Sequence, residues 1–151
     1  MRWLLMPLLM LFTLVVTASR PAARRAEDEA VLKARETALL ERNVDAVLQQ
    51  CADDALVVSS SGRLLKGRDQ VRSWVQDQVE RSQGEEAGPR YQQGTKRSWP
   101  GKVSRGDWQQ MGISPLEVTQ DAIIQEGKIH RLNTSFTPES AARFQAARKQ
   151  N

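Results

Sequence analysis

The chain of 151 residues is short of several residue types, and each shortage excludes something. It has one cysteine, Cys51, so no internal disulfide can form. One histidine, His130, beside that single cysteine leaves no zinc-ligand cluster of the usual spacing, and neither a metal nor a cofactor is expected. Lysine and arginine (22) barely exceed aspartate and glutamate (18), and no basic run carries interleaved aromatics. The formal charge of +4 and pI near 9.6 are therefore not read as a nucleic-acid footprint. Aromatic residues are only 5% of the chain, which leaves Tyr91, Trp99 and Trp108 open to two readings. They line a pocket for a flat or lipidic ligand, or they are ordinary core. Internal repeats and low-complexity segments are missing too.

What is present is enough for one domain with a core of its own. Residues 1–18 read as a secretory signal peptide: Arg2 is the positive flank, an apolar run follows, and Val16-Thr17-Ala18 is a small-residue cleavage pattern. The run is short for a membrane span and is interrupted by Pro7. With no cysteine after it, a lipoprotein anchor is excluded. A secreted or periplasmic protein without stable membrane insertion is expected. Arg20, Arg24 and Arg25 keep open the alternative of an uncleaved signal anchor, which tethers the protein to the membrane. Residues 19–26, with Pro21 and several alanines, read as a linker, 27–147 as the domain, and 148–151 as a polar tail.

Within the domain, Ala30, Val31, Ala34, Ala38 and Leu39 recur at helical spacing, with Arg35 and Glu36 on the other side, predicting a helix over 27–42. Asn43 caps a second short helix carrying Val47, Leu48 and Cys51. Asp53 and Asp54 then form an acidic turn before a strand, a turn at Ser61-Gly62 and a return strand at Leu64-Leu65. After Gly67 comes a third helix with a stripe of Val71, Trp74, Val75 and Val79. Residues 82–89 read as a polar loop. Alternation predicts a strand from Tyr91 to Trp99, a turn at Pro100-Gly101, and a further strand over 103–111 containing Trp108. The final hairpin turns at Glu126-Gly127, and Thr137-Pro138 starts a terminal helix.

The segments ADDALVVSSSGRLLKGRDQVRSWV and PLEVTQDAIIQEGKIHRLNTSFTPESAARF carry a resemblance to the nuclear transport factor 2-like superfamily, in particular its SnoaL-like branch. The resemblance implies an α+β fold: a cone-shaped, curved antiparallel sheet wrapped around N-terminal helices, a cystatin-like α+β barrel enclosing a pocket. It also implies either a domain that binds a small apolar ligand or acts as an interaction module, as a homodimer through the outer sheet face, or an enzyme of the cyclase, isomerase or dehydratase type.

For the enzymatic reading, the proton-transfer candidates are Asp121 and His130, since an apolar cavity raises a carboxyl pKa toward neutrality. Asp121 looks into the cone if odd residues face inward and into water if even ones do. His130 shares a predicted face with Leu132, Thr134 and Phe136, where it serves as a general base or as a structural rim residue. For the binding reading, the candidates are Tyr91, Trp99, Trp108 and Asp54, the last with a capping role as its alternative. The departures from the enzymes are specific. The first helix lacks the tyrosine of the steroid isomerases, the dehydratase set lacks its partners, and the Asp-Arg-Asp network of the epoxide hydrolases has no evident place.

Overall fold

A computed structural model describes residues 20–150. The elements run α1 (Arg20–Leu40), α2 (Val44–Gln49), β1 (Cys51–Val58), β2 (Leu64–Lys66), α3 (Arg68–Arg81), β3 (Ser82–Ala87), β4 (Tyr91–Gln93), β5 (Lys96–Arg105), α4 (Gly106–Gln110), β6 (Leu116–Gln125), β7 (Lys128–Phe136) and α5 (Pro138–Gln150). The expected signal peptide lies outside the described residues. Residues 20–26, expected as linker, are helical, as are residues 148–150 of the expected tail.

The α+β class and the N-terminal helices hold, but the sheet corrects the expected cone-shaped antiparallel barrel. Its strands are ordered β2-β1-β7-β6-β5-β3, with β4 also paired to β5. The two ends of this path do not pair, so the sheet is open; a barrel requires its first and last strands to be hydrogen-bonded. The sheet is also mixed, because β1 joins β7 in parallel while the other pairs are antiparallel. That parallel pair follows from connectivity: β1 enters from the helices and lies beside the last strand of the chain.

Local chemistry explains most elements. Asn43 caps α2 by accepting from the Ala46 N–H at 3.0 Å. The β6–β7 turn uses Glu126 (φ 51°) and Gly127 (φ 70°), the left-handed pair that a two-residue hairpin needs. Thr137 Oγ1 accepts from the Ser140 N–H at 3.3 Å to start α5.

Three segments differ from expectation. Residues 82–87 form β3, an edge strand against β5 whose polar sequence reflects its half-exposed position. Pro100-Gly101 is no turn; β5 runs through it. The Pro100 carbonyl accepts from the Gly88 N–H at 2.8 Å, so that side of Pro100 faces the break between β3 and β4. A missing N–H there costs no β5–β6 ladder bond. Gly88 must be glycine-like to approach, as a Cβ would meet Pro100 Cγ at 2.8 Å. Finally, Trp108 sits in the short helix α4, not in a strand.

One sheet face carries the core. Even-numbered residues of β6 (Leu116, Val118, Gln120, Ala122, Ile124) are buried, with Trp99 and Val103 of β5 on the same side. The larger cluster joins Leu32, Leu48, Val71 and Val75 of the helices to Trp99, Ile124 and Leu132. A smaller one joins Val103, Leu116 and Val118 to Trp108, Ile113 and Ala147, with Phe136 and Phe144 packed on it. The buried stripe of α1 is Asp28, Val31, Leu32, Arg35 and Ala38. Ala30 and Ala34, expected inside, are exposed, and Arg35, expected outside, is buried.

Candidate functional site

Between the two clusters lies a cavity of about 710 Å³. Its apolar walls are Leu39, Trp74 and Val79 from the helical side and Val103, Trp108 and Phe144 from the other. Trp108 is held edge-on to Phe136 and Phe144, with ring centroids 5.6 and 6.2 Å away, and the Arg105 guanidinium lies 5.1 Å from its ring. The size is that of a small-molecule site, and the wall is mixed: beside the apolar side chains stand serines, glutamines, carboxylates and several arginines.

The polar groups are largely matched to one another. Gln120 Nε2 donates to Glu85 Oε1 at 2.7 Å. Glu36 is paired with Arg90, which also reaches Glu29 and lies 5.5 Å from the Trp99 ring. Arg105 reaches Asp107 at 3.1 Å and Asp77 at 3.5 Å, while Arg81 contacts Asp77 at 2.5 Å and Asp107 at 3.7 Å. Burial raises the Asp107 pKa, but the hydrogen bonds and charge of Arg105, with the Trp108 N–H, outweigh it and the net shift is downward. The Asp77–Arg105–Asp107 arrangement therefore ties α3 to the end of β5. It does not offer Asp107 as a base near neutral pH, because a general base works best with a pKa near the working pH.

Two buried polar groups of the cavity wall stay unmatched among the described residues. Arg35 is 4% exposed and lines the cavity, with no hydrogen bond or ion pair to its guanidinium among the described residues. Gln120 is 2% exposed, and its Oε1 has no partner among the described residues.

The candidates from sequence are scattered. Trp108 lines the cavity; Tyr91, Trp99, Asp54, Asp121 and His130 do not. Tyr91 is 59% exposed on β4, and Trp99 is core. Asp121 is on the sheet face away from the helices, where it accepts from Ser98 Oγ at 2.5 Å and lies 3.7 Å from Lys96 Nζ. Asp53 and Asp54, expected as an acidic turn, lie in β1 within its irregular register against β7. His130 is the extra residue of a bulge, since Ile123 pairs with Arg131 and Ile124 with Ile129. The bulge puts Ile129 rather than His130 on the core face with Leu132, and leaves His130 Nδ1 3.8 Å from the exposed Asp54. Trp74, read as core, is half-buried at the core edge and also lines the cavity.

Sequence reasoning missed Arg35, Glu85 and Gln120. Arg35 had a signal: it is four residues from Val31 and three from Leu32 and Ala38, squarely on a helical stripe. Gln120 lay at the centre of an otherwise apolar even-numbered row. Glu85 had none, being part of a segment that reads as loop.

No protein-family model and no curated relative matches the chain. Solved structures do match. SalBIII, an epoxide hydrolase/cyclase-like enzyme of pyran ring formation in the polyether salinomycin, is 16% identical with a TM-score of 0.66, over 78% of this chain and 95% of that one. A nuclear transport factor 2-like protein of unknown function from Burkholderia xenovorans is 18% identical, TM-score 0.63, over 76% and 85%. A putative polyketide cyclase from Sinorhizobium meliloti is 23% identical, TM-score 0.61, over 70% and 94%. At these identities the likeness is one of fold. The structures of similar fold include both proteins of unknown function and cyclase- or isomerase-like ones. No helix among the described residues is long and apolar enough to cross a membrane.

Proposed function

We propose that the protein is an exported SnoaL-like domain that binds a small, mainly apolar molecule in the cavity between the helices and the sheet. The observation that carries this reading is the roughly 710 Å³ space walled by Leu39, Trp74, Val79, Val103, Trp108 and Phe144. Binding without chemistry takes precedence over the cyclase, isomerase or dehydratase alternative for two reasons. The proton-transfer candidates Asp121 and His130 are not among the cavity residues. The carboxylates that are (Glu36, Asp77, Glu85 and Asp107) each have an Arg or Gln partner.

Native mass spectrometry of protein purified from its source tests the reading. A co-purified small molecule, lost on Trp108→Ala, is expected; repeated recovery of empty protein from several growth conditions counts against it. The branch assignment rests on the two sequence segments quoted above, and export on residues 1–18. N-terminal sequencing of the secreted or periplasmic fraction is expected to begin at Ser19, and a mature chain starting at Met1 sinks that part. Homodimerisation through the outer sheet face is the companion proposal, and sedimentation velocity at micromolar concentration is expected to give twice the monomer mass.

A further inference from the structure

Arg35 is a buried cation in search of an anion. It stands on the core stripe of α1, 4% exposed, and lines the cavity. An arginine cannot shed its proton to escape burial as a lysine can, so the charge is permanent. The other buried charge of that stripe, Asp28, is matched by Arg97 at 3.1 Å. Arg35 has no such match among the described residues. Its charge is felt by Cys51, but burial holds that thiol's pKa above its ordinary value despite Arg35, Arg68 and Lys128, so Cys51 stays neutral and supplies no counter-ion.

We infer that the cavity takes an apolar carboxylate, its head group paired with Arg35 and its body against Trp74, Trp108 and Phe144. This rests on the small-molecule reading above and gives it a chemical class. The planar guanidinium fork fits a carboxylate through two parallel hydrogen bonds. Arg42 and Arg63 line the cavity too, exposed, with no ion pair among the described residues, and they bias the approach of an anion. Gln120 adds a second element of recognition. Its amide nitrogen is held by Glu85, so its unpartnered Oε1 is an acceptor waiting for a ligand hydroxyl.

The test compares acids with neutral alcohols of the same shape: dodecanoate against dodecan-1-ol, and 1-naphthaleneacetate against 2-(1-naphthyl)ethanol. Affinities are read by calorimetry and by the emission of Trp74 and Trp108, below micelle-forming concentrations. The acid of at least one pair is expected to bind wild type about tenfold tighter than its alcohol, a difference of about 1.4 kcal/mol. Arg35→Gln weakens the acid far more than the alcohol and so abolishes that preference, and Arg35→Lys keeps part of it. Because Arg35→Gln removes an unmatched buried charge, it is expected to melt no lower than wild type, which separates lost pairing from lost folding. Equal affinity of acid and alcohol for wild type, or a preference that survives Arg35→Gln, overturns the carboxylate assignment and leaves the cavity reading standing. Failure of all four compounds to bind overturns both.

Discussion

Arg97 on β5 donates from Nε and Nη2 to a single oxygen of Asp28 on α1, at 3.2 and 3.1 Å, with both side chains almost wholly buried. This pair fastens the long first helix to β5, next to the β3 edge of the sheet. Removing one partner strands the other charge in a low-dielectric interior. Asp28→Ala is therefore expected to cost about 3–5 kcal/mol in urea unfolding. The double replacement Asp28→Leu with Arg97→Met recovers most of that loss, because the desolvation of both charges disappears with them. A double variant as unstable as the single one shows that the pair's charge is not the source of the effect.

Trp108 organises the end of the molecule where α5 meets the sheet, through its edge contacts with Phe136 and Phe144. Trp108→Ala is expected to destabilise by about 3–5 kcal/mol, as large aromatic truncations in a core do. Trp108→Phe retains an edge-on partner for Phe136 and should lose much less. Chemical denaturation of the two variants side by side checks the order.

The Cys51 thiol is shielded by burial at the junction of α2 and β1, and its Sγ lies 3.7 Å from the Val47 carbonyl oxygen as a donor. Its pKa is raised above 9.0, chiefly by desolvation. The thiolate is the reactive form, so labelling by a disulfide reagent at pH 8 is expected to be slow in the native protein. Adding urea to the unfolding midpoint should accelerate it sharply. Rapid native labelling contradicts the burial.

For Asp107 the folded pKa lies below the ordinary 3.8, since Arg105 outweighs burial. A carboxylate with a depressed folded pKa stabilises fully above its unfolded pKa and loses that contribution as pH falls through the folded one. Asp107→Asn is thus expected to be less stable than wild type at pH 7, by a modest amount because the pair is partly solvated. The gap should stay flat down to about pH 5 and close below pH 3.8. Melting temperatures of both proteins from pH 7 to pH 2.5 give the comparison, and a gap that widens in acid reverses the sign.

Much of the fold was legible because its signals are local. The cap at Asn43, the Glu126-Gly127 turn, the Thr137-Pro138 start and the even-numbered apolar row of β6 follow from the chemistry of a few neighbouring residues. Polar β3 was not legible. An edge strand that borders a cavity buries too little apolar surface to announce itself. The site was harder still. Plain alternation puts His130 on the face of Leu132, and one bulge inverts it, since a period of two is reversed by a single extra residue. The rule that charge goes to water puts Arg35 outside, which the helical spacing of the residue itself opposes.

By itself the sequence determined the α+β class, the cap at Asn43, the Glu126-Gly127 turn, the Thr137-Pro138 start and the alternation of apolar and polar residues along β6. Only the tertiary structure decided that the sheet is open and mixed, that Asp121 and His130 lie away from the cavity, and that Arg35 lies on it. The physical reason is one of range. Capping and periodicity act over about one helical turn or one strand repeat, whereas a cavity is a relation among α1, α3, β3, β5, β6 and α5. Whether a charge such as Arg35 is matched depends on partners brought in from distant parts of the chain, and on the one side where no partner arrives.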